Sequence, residues 1–322
     1  MGVEGKASGS PGPAVSWLDV DESAEGQRLD NFLVARLKGV PKSHVYRIVR
    51  SGEVRVNSGR VDASHRLAIG DRVRVPPIRV AEREAGDAPA AALELPVLFE
   101  DEHLLAVDKP AGLAVHGGSG IAHGAIERLR AARPGAKFLE LAHRLDRETS
   151  GVLLIAKRRP ALAALHEDLR ERAMDKRYLV AVAGRFRDEL RRVKAPLRKY
   201  STADGERRVA VDAREGQAAE TVFRRLARSE EFSLLEAELL TGRTHQIRVH
   251  LVHVGHPILG DDKYGDFALN RALRSRGLKR MFLHAASLAF AHPATGEALT
   301  IRAPLPKDLE AFRHAAFPES AP

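Results

Sequence analysis

The chain has 322 residues, with 52 Lys+Arg against 43 Asp+Glu, a formal charge of +9 before any of its 14 His is counted. Hydrophobic content of 44% and charged content of 30% suit a packed chain long enough for two domains and exclude a disordered, collagen-like or coiled-coil body. Cysteine is absent, which removes disulfides, Cys-based zinc sites, iron–sulfur clusters and thiolate nucleophiles together.

No apolar run approaches the ~20 residues of a membrane helix. Residues 1–16, rich in Gly, Ser, Pro and Ala, read as a flexible tail without a charged-then-apolar signal pattern, so the expectation is a cytoplasmic chain. Between Gln27 and Ile78, eleven Lys/Arg face four Asp/Glu, so most of the net charge lies there. Leu29, Phe32, Leu33 and Leu37 recur at helical spacing up to Gly39, and Val45, Ile48 and Val49 define a second helix from Lys42, closed by Gly52. Glu53–Val56 and Arg72–Val75 alternate as short strands, with Asn57-Ser58-Gly59 as turn chemistry. Residues 17–78 are thus a compact module carrying Lys42, Arg47, Arg50 and Arg55 on a basic surface, which is either a solvated face or a nucleic-acid footprint. Residues 79–94 lack apolar periodicity and read as a linker; a second domain follows over 95–316, then a tail, 317–322. In it, strand-like runs (Leu104–Val107, Val152–Ala156, Tyr178–Val182, Phe232–Leu240, Leu299–Arg302) mix with helical stretches (Ala125–Ala132, Ala161–Ala173, His245–Val254), a mixed α/β or α+β domain.

Three segments invite a cofactor or a metal, and each has a plainer reading. The Gly-rich stretch Gly117–Gly124 fits neither the dinucleotide fingerprint nor the P-loop spacing, and reads as a loop that approaches another backbone closely. Of His245, His250, His253 and His256, only His250 and His253 share the i, i+3 spacing within the expected helix His245–Val254, without a carboxylate pattern, so no metal is expected. Asp261-Asp262, between Gly260 and Gly265, shape a tight loop. The segment Ala142–Gly151 differs, packing polar and charged groups into a loop ahead of an apolar strand, where sites commonly sit. Asp146 and Thr149 can equally be backbone scaffolding there.

Resemblance separates these readings. Gln27–Leu33, Lys42–Asn57 and Gly70-Asp71 resemble the alpha-L, or S-four, RNA-binding domain. His143–Gly151, with Val107–Gly112, Val115–Gly118, Lys176–Leu179, Leu240–His250 and Leu283–Pro293, resembles the A/C/D type of RNA pseudouridine synthases that modify the large ribosomal RNA. The resemblance covers Gln27 to about Pro306 and implies an α+β chain: the small RNA-binding domain, then a catalytic domain on a mixed, mostly antiparallel sheet. It implies isomerisation of uridine to pseudouridine in large-subunit ribosomal RNA, free or in an assembling particle, by a monomer without cofactor or membrane.

Within that family Asp146 is the essential residue, and a carboxylate suits a reaction that breaks a glycosidic bond, as nucleophile, base or charge stabiliser. Covalent and glycal routes both remain open. The resemblance makes Arg243 the partner that keeps Asp146 ionised, on a helix capped by Thr244, the alternative being an RNA phosphate contact. It has Tyr178 stack on the uracil and help move the carbon-5 proton, against an ordinary strand aromatic. Arg144 fills the space left by the flipped base, against a surface ion pair, while His143, His245 and Arg248 shape the pocket. A non-catalytic RNA-binding factor and an RNA methyltransferase are the rival readings; the intact Asp146, Tyr178 and Arg243 set and the missing Gly-rich cofactor loop count against them.

Overall fold

The computed structural model describes residues 15–21, 24–37, 40–78, 90–117 and 122–318. Most of the tail 1–16, the helix stop at Gly39, linker residues 79–89, Gly118–Gly120 and tail residues 319–322 lie outside the described residues. The chain divides into two compact units, Met1–Ala88 and Pro89–Pro322.

The first unit contains β1 (Ser16–Asp19), α1 (Leu29–Arg36), α2 (Lys42–Arg50), β2 (Arg55–Val56) and β3 (Arg72–Val75). β3 lies between β1 and β2 in an antiparallel sheet. Val45, Ile48 and Val49 bury one face of α2 against Leu29, Phe32 and Leu33 of α1, which leaves Lys42, Arg47 and Arg50 exposed. The strand expected from Glu53 begins only at Arg55: the amides of Glu53 and Val54 both bond to Ile48 O and close the helix instead.

The second unit runs β4 (Val97–Glu100), β5 (Leu104–Lys109), α3 (Ala125–Ala132), β6 (Glu140–Leu141), β7 (Ser150–Ala156), α4 (Arg159–Glu171), β8 (Asp175–Ala183), β9 (Leu190–Lys194), β10 (Leu197–Ser201), β11 (Arg207–Val211), β12 (Glu220–Arg228), β13 (Phe232–Leu239), α5 (Gln246–His253), α6 (Phe267–Ser275), β14 (Leu283–Ala291), β15 (Ala298–Arg302) and α7 (Lys307–Ala316). α4 starts two residues earlier than the periodicity predicts, because Pro160 fits a first helical turn. The main sheet has the order β4-β5-β7-β14-β8-β13-β12-β9, with β6 on β7 and β15 on β14. Its pairings are antiparallel apart from β7–β14, so the sheet is mixed and mostly antiparallel and the fold is α+β. β10 and β11 form a separate hairpin.

Alternation sends successive side chains to opposite faces. Leu105, Val107, Leu153, Ile155, Val180 and Val182 meet Leu129 of α3 and Leu251 of α5 in one core. Leu104, Ala106 and Leu154 meet Leu165 of α4, while Ala181 and Leu234 meet Leu309 and Phe312 of α7. Covered on both faces, β7 is buried along its whole length, which is why it reads as a continuous apolar run.

Two glycines set close approaches near the polar loop. Gly151, at φ 110°, lets β7 lie against β14, since a Cβ there would stand 2.2 Å from Ala285 O. Gly124 caps α3 where a Cβ would stand 2.4 Å from the His116 backbone, the close approach expected of the Gly-rich stretch.

Candidate active site

Asp146 lies on the loop between β6 and β7, at a cavity of about 500 Å³, a size ordinary for ligand pockets. The loop is held from below. Thr149 N bonds to Asp146 O, while Arg147 O accepts from Gly112 N at 2.9 Å and from Lys109 Nζ at 3.1 Å. Lys109 is fully buried and also donates to Pro110 O and Leu113 O, both at 2.8 Å. Burial pushes its ammonium down to about 8, so it remains a cation at neutral pH and uses all three N–H bonds. Beside the loop, Arg280 donates to Ser150 Oγ at 2.6 Å, and that hydroxyl meets His284 Nδ1 at 2.9 Å.

The Asp146 carboxylate, 16% exposed, accepts from Arg248 Nη1 at 3.2 Å. Arg248 is 7% exposed and projects from α5, with its Nε and Nη2 forked onto Asp261 at 2.8 and 2.7 Å. Burial opposes the charge on both groups, yet their bonds outweigh it: Arg248 is held above its ordinary value and Asp261 below its own. Asp261, 1% exposed, also accepts from the amides of Lys263 and Tyr264, so the tight loop read at Asp261-Asp262 doubles as the anchor for Arg248.

Tyr264 lies under the guanidinium, 4.9 Å from ring centre to Arg248 Cζ. Its hydroxyl accepts from Val209 N of β11 at 2.9 Å and meets His245 Nδ1 at 2.8 Å. A hydroxyl that accepts there donates its own O–H to Nδ1, which leaves His245 Nε2–H facing Asp146 Oδ1 at 3.9 Å. Burial pushes His245 down to about 4, so the imidazole is neutral at pH 7.

Tyr178 of β8 also lines the cavity. Burial, and then the Asp146 charge, raise its phenol above the ordinary value, so it stays protonated. His143 lines the cavity too, but its Nε2 accepts from Leu154 N at 3.1 Å and burial holds it near 4, so it is a neutral strut. Arg144 is exposed at the same cavity.

Arg243 does not meet Asp146. Its guanidinium is exposed and its Nε donates to Ala218 O at 3.2 Å; the cation on Asp146 is Arg248. The reason is local. Thr244 does not cap α5: His245 holds the cap position with a left-handed φ of 54°, and the Gln246 side chain accepts from Arg243 N at 3.0 Å and from Thr241 Oγ1 at 2.7 Å. This kink turns Arg243 outward and brings Arg248, a turn into the helix, to the carboxylate. His250, considered for a metal, has both ring nitrogens taken by Thr221 Oγ1 and Ala195 O. Sequence reasoning missed Tyr264 and the role of Asp261, and the one signal was the pattern Gly-Asp-Asp-Lys-Tyr-Gly over 260–265.

The RNA pseudouridylate synthase model matches residues 103–253, and the S4 domain model matches residues 27–73. With relatives more than half identical along 92% of its length, the chain belongs to the RNA pseudouridylate synthase family and is an isomerase of that class. Those relatives carry one particular name: Ribosomal large subunit pseudouridine synthase C of Yersinia pestis is 54% identical over 302 residues, covering 92% of this chain and 94% of that protein. The protein of that name from Escherichia coli (strain K12) is 51% identical over 305 residues, covering 92% and 95%. Among solved structures, Human RNA Pseudouridylate Synthase Domain Containing 4 is 29% identical, with a TM-score of 0.56 over 68% of this chain and 92% of that chain.

Proposed function

We propose that this chain converts specific uridines of large-subunit ribosomal RNA to pseudouridine at the cavity beside Asp146, without a cofactor. The observation that carries the reading is the Asp146–Arg248 ion pair at the cavity, itself anchored to buried Asp261. The uridine leaves its stack and enters the cavity, and Arg144, exposed there, replaces it in the stack. Asp146 supplies the carboxylate that meets the ribose or the base as the glycosidic bond breaks. The uracil turns, its carbon 5 bonds the ribose carbon that nitrogen 1 has left, the carbon-5 proton is lost to water, and nitrogen 1 takes up a proton, so no atom is gained or lost overall. Arg248 fixes the carboxylate, Tyr178 offers a neutral ring for the base, and His245 presents a neutral N–H beside Asp146.

At the cavity, Arg243 meets phosphate rather than Asp146, and away from it Lys42, Arg47, Arg50 and Arg55 of the S-four module, residues 17–78, contact RNA; all four are exposed. The relatives' printed names support the large-subunit substrate. The reading extends to a monomer working in the cytoplasm on free RNA or an assembling particle; among the described residues no helix is long and apolar enough to cross a membrane.

Tritium release from ribosomal RNA labelled at carbon 5 of uridine tests the proposal. The unsubstituted chain releases tritium with no added cofactor, and Asp146→Asn slows release by at least about 10²–10⁴-fold while still binding RNA. Equal release by the two proteins would overturn it.

A further inference from the structure

Two lysines of the second unit are buried, and their surroundings differ. Lys109 gives its three N–H bonds to backbone carbonyls. Lys176 of β8 is 8% exposed and lines the cavity, but its ammonium has no hydrogen bond and no ion pair among the described residues. Its neighbour Asp175 is spent on Arg177, through bonds of 2.6 and 3.0 Å. Among the described residues only Arg313 Nε is a fully buried side-chain nitrogen without a partner, so the Lys176 ammonium, on a largely buried stem, opens onto the cavity and stands ready for a ligand there.

The charge balance of the cavity sharpens the point. Arg144, Arg172, Lys176 and Arg243 line it, while its one carboxylate among the described residues, Asp146, is already paired with Arg248. Burial, and then the Arg172 charge, lower the Lys176 ammonium, and the charge of Asp175, which is bonded to Arg177, offsets this only in part. Whatever occupies the cavity must bring negative charge.

We infer that Lys176 binds a phosphodiester oxygen of the RNA strand, next to the uridine seated at Asp146. The inference rests on the proposed function and adds a contact to it. Lys176 and Tyr178 are two residues apart on one strand, both buried and both at the cavity, so their Cα atoms lie roughly 6.6 Å apart along it. A base against Tyr178 therefore leaves Lys176 about one nucleotide step away, where the backbone runs. Uracil is uncharged and gives an ammonium only a carbonyl; the phosphodiester is the anion that the substrate carries.

The test separates binding from chemistry. In the inert Asp146→Asn chain, the affinity for transcribed large-subunit ribosomal RNA is measured against KCl concentration, with and without Lys176→Met. The expected result is about tenfold weaker binding and a log–log salt slope shallower by about 0.7, the amount for one phosphate contact on a single strand. Lys176→Arg keeps the slope. In the otherwise unsubstituted chain, Lys176→Met lowers kcat/KM for tritium release through KM, with kcat within about threefold. An unchanged salt slope overturns the inference, as does a fall in kcat at constant slope, which would put Lys176 on the base. If Lys176→Met unfolds, Lys176→Gln is read by the same slope. Absence of tritium release from the unsubstituted chain would overturn the functional reading alone, because the slope is read by binding.

Discussion

Arg47 and Arg72 of the first unit and Arg248 of the second are used in opposite ways. In the first, Arg47 pairs with Glu53 at 3.6 Å and Arg72 with Asp19 at 3.4 Å, with all four side chains well exposed. In the second, Arg248 is forked between Asp261 and Asp146 and nearly withdrawn from water. Exposed pairs add little to stability and stay free to exchange a carboxylate for a phosphate. A buried pair adds little net stability either, but breaking it strands a charge. The first arrangement makes a surface that binds; the second fixes one carboxylate in one position.

That contrast breaks most visibly at Arg248. Arg248→Met leaves Asp261 buried with no cation, and we expect a loss of about 3–5 kcal/mol in thermal or denaturant unfolding, together with loss of tritium release. Adding Asp261→Asn removes the stranded charge and returns much of the stability but none of the activity. A double variant no more stable than the single one would show that the Arg248–Asp261 pair is not what holds this region.

How far the site is legible in the sequence follows from the same contrast. The basic face of α2 is local: Val45, Ile48 and Val49 dictate which side is buried, and the cations take the other. Asp146 stands out because the loop holding it precedes a fully buried strand. The partner of Asp146 does not, because Arg248 is 102 residues away and reaches it only through a left-handed His245, a conformation that a sequence window does not signal. Tyr264 escapes for the same reason, since its partners lie on β11 and at the cap of α5, distant in sequence. Half of the ten-stranded sheet is readable, β5, β7, β8, β13 and β15; the short β4, β6 and β9 are not, Arg224, Arg225 and Arg228 along β12 hide its alternation, and β14 shows only as a motif block.

Lys109 sharpens the comparison from the side of pH. Its folded value is about 8 against an ordinary 10.5. Below about pH 8 both folded and unfolded chains hold the proton; between 8 and 10.5 the unfolded chain holds one that the folded chain has released, so stability rises with pH across that window. The gain is on the order of 3 kcal/mol at most. Lys109→Met lacks this rise, and it strands three carbonyls under the Asp146 loop, so its activity falls too. Unfolding of both proteins from about pH 7 to 10 reads the difference; a constant gap across that range would count against a strained buried ammonium.

The smallest effect belongs to the exposed face. Among the described residues the Arg47 side chain meets only His44 and Glu53, and Arg50 offers an exposed guanidinium at the end of α2. Arg47→Gln with Arg50→Gln removes two cations and no buried contact, so the unfolding midpoint should move by less than about 2 °C. RNA affinity should still fall, with a salt slope shallower by roughly 1.4–1.8 depending on whether the contacted RNA is single-stranded or helical. A melting shift as large as that of Arg248→Met would mean that these arginines hold the fold, and the division between a binding surface and a fixed charge would fail at its exposed end.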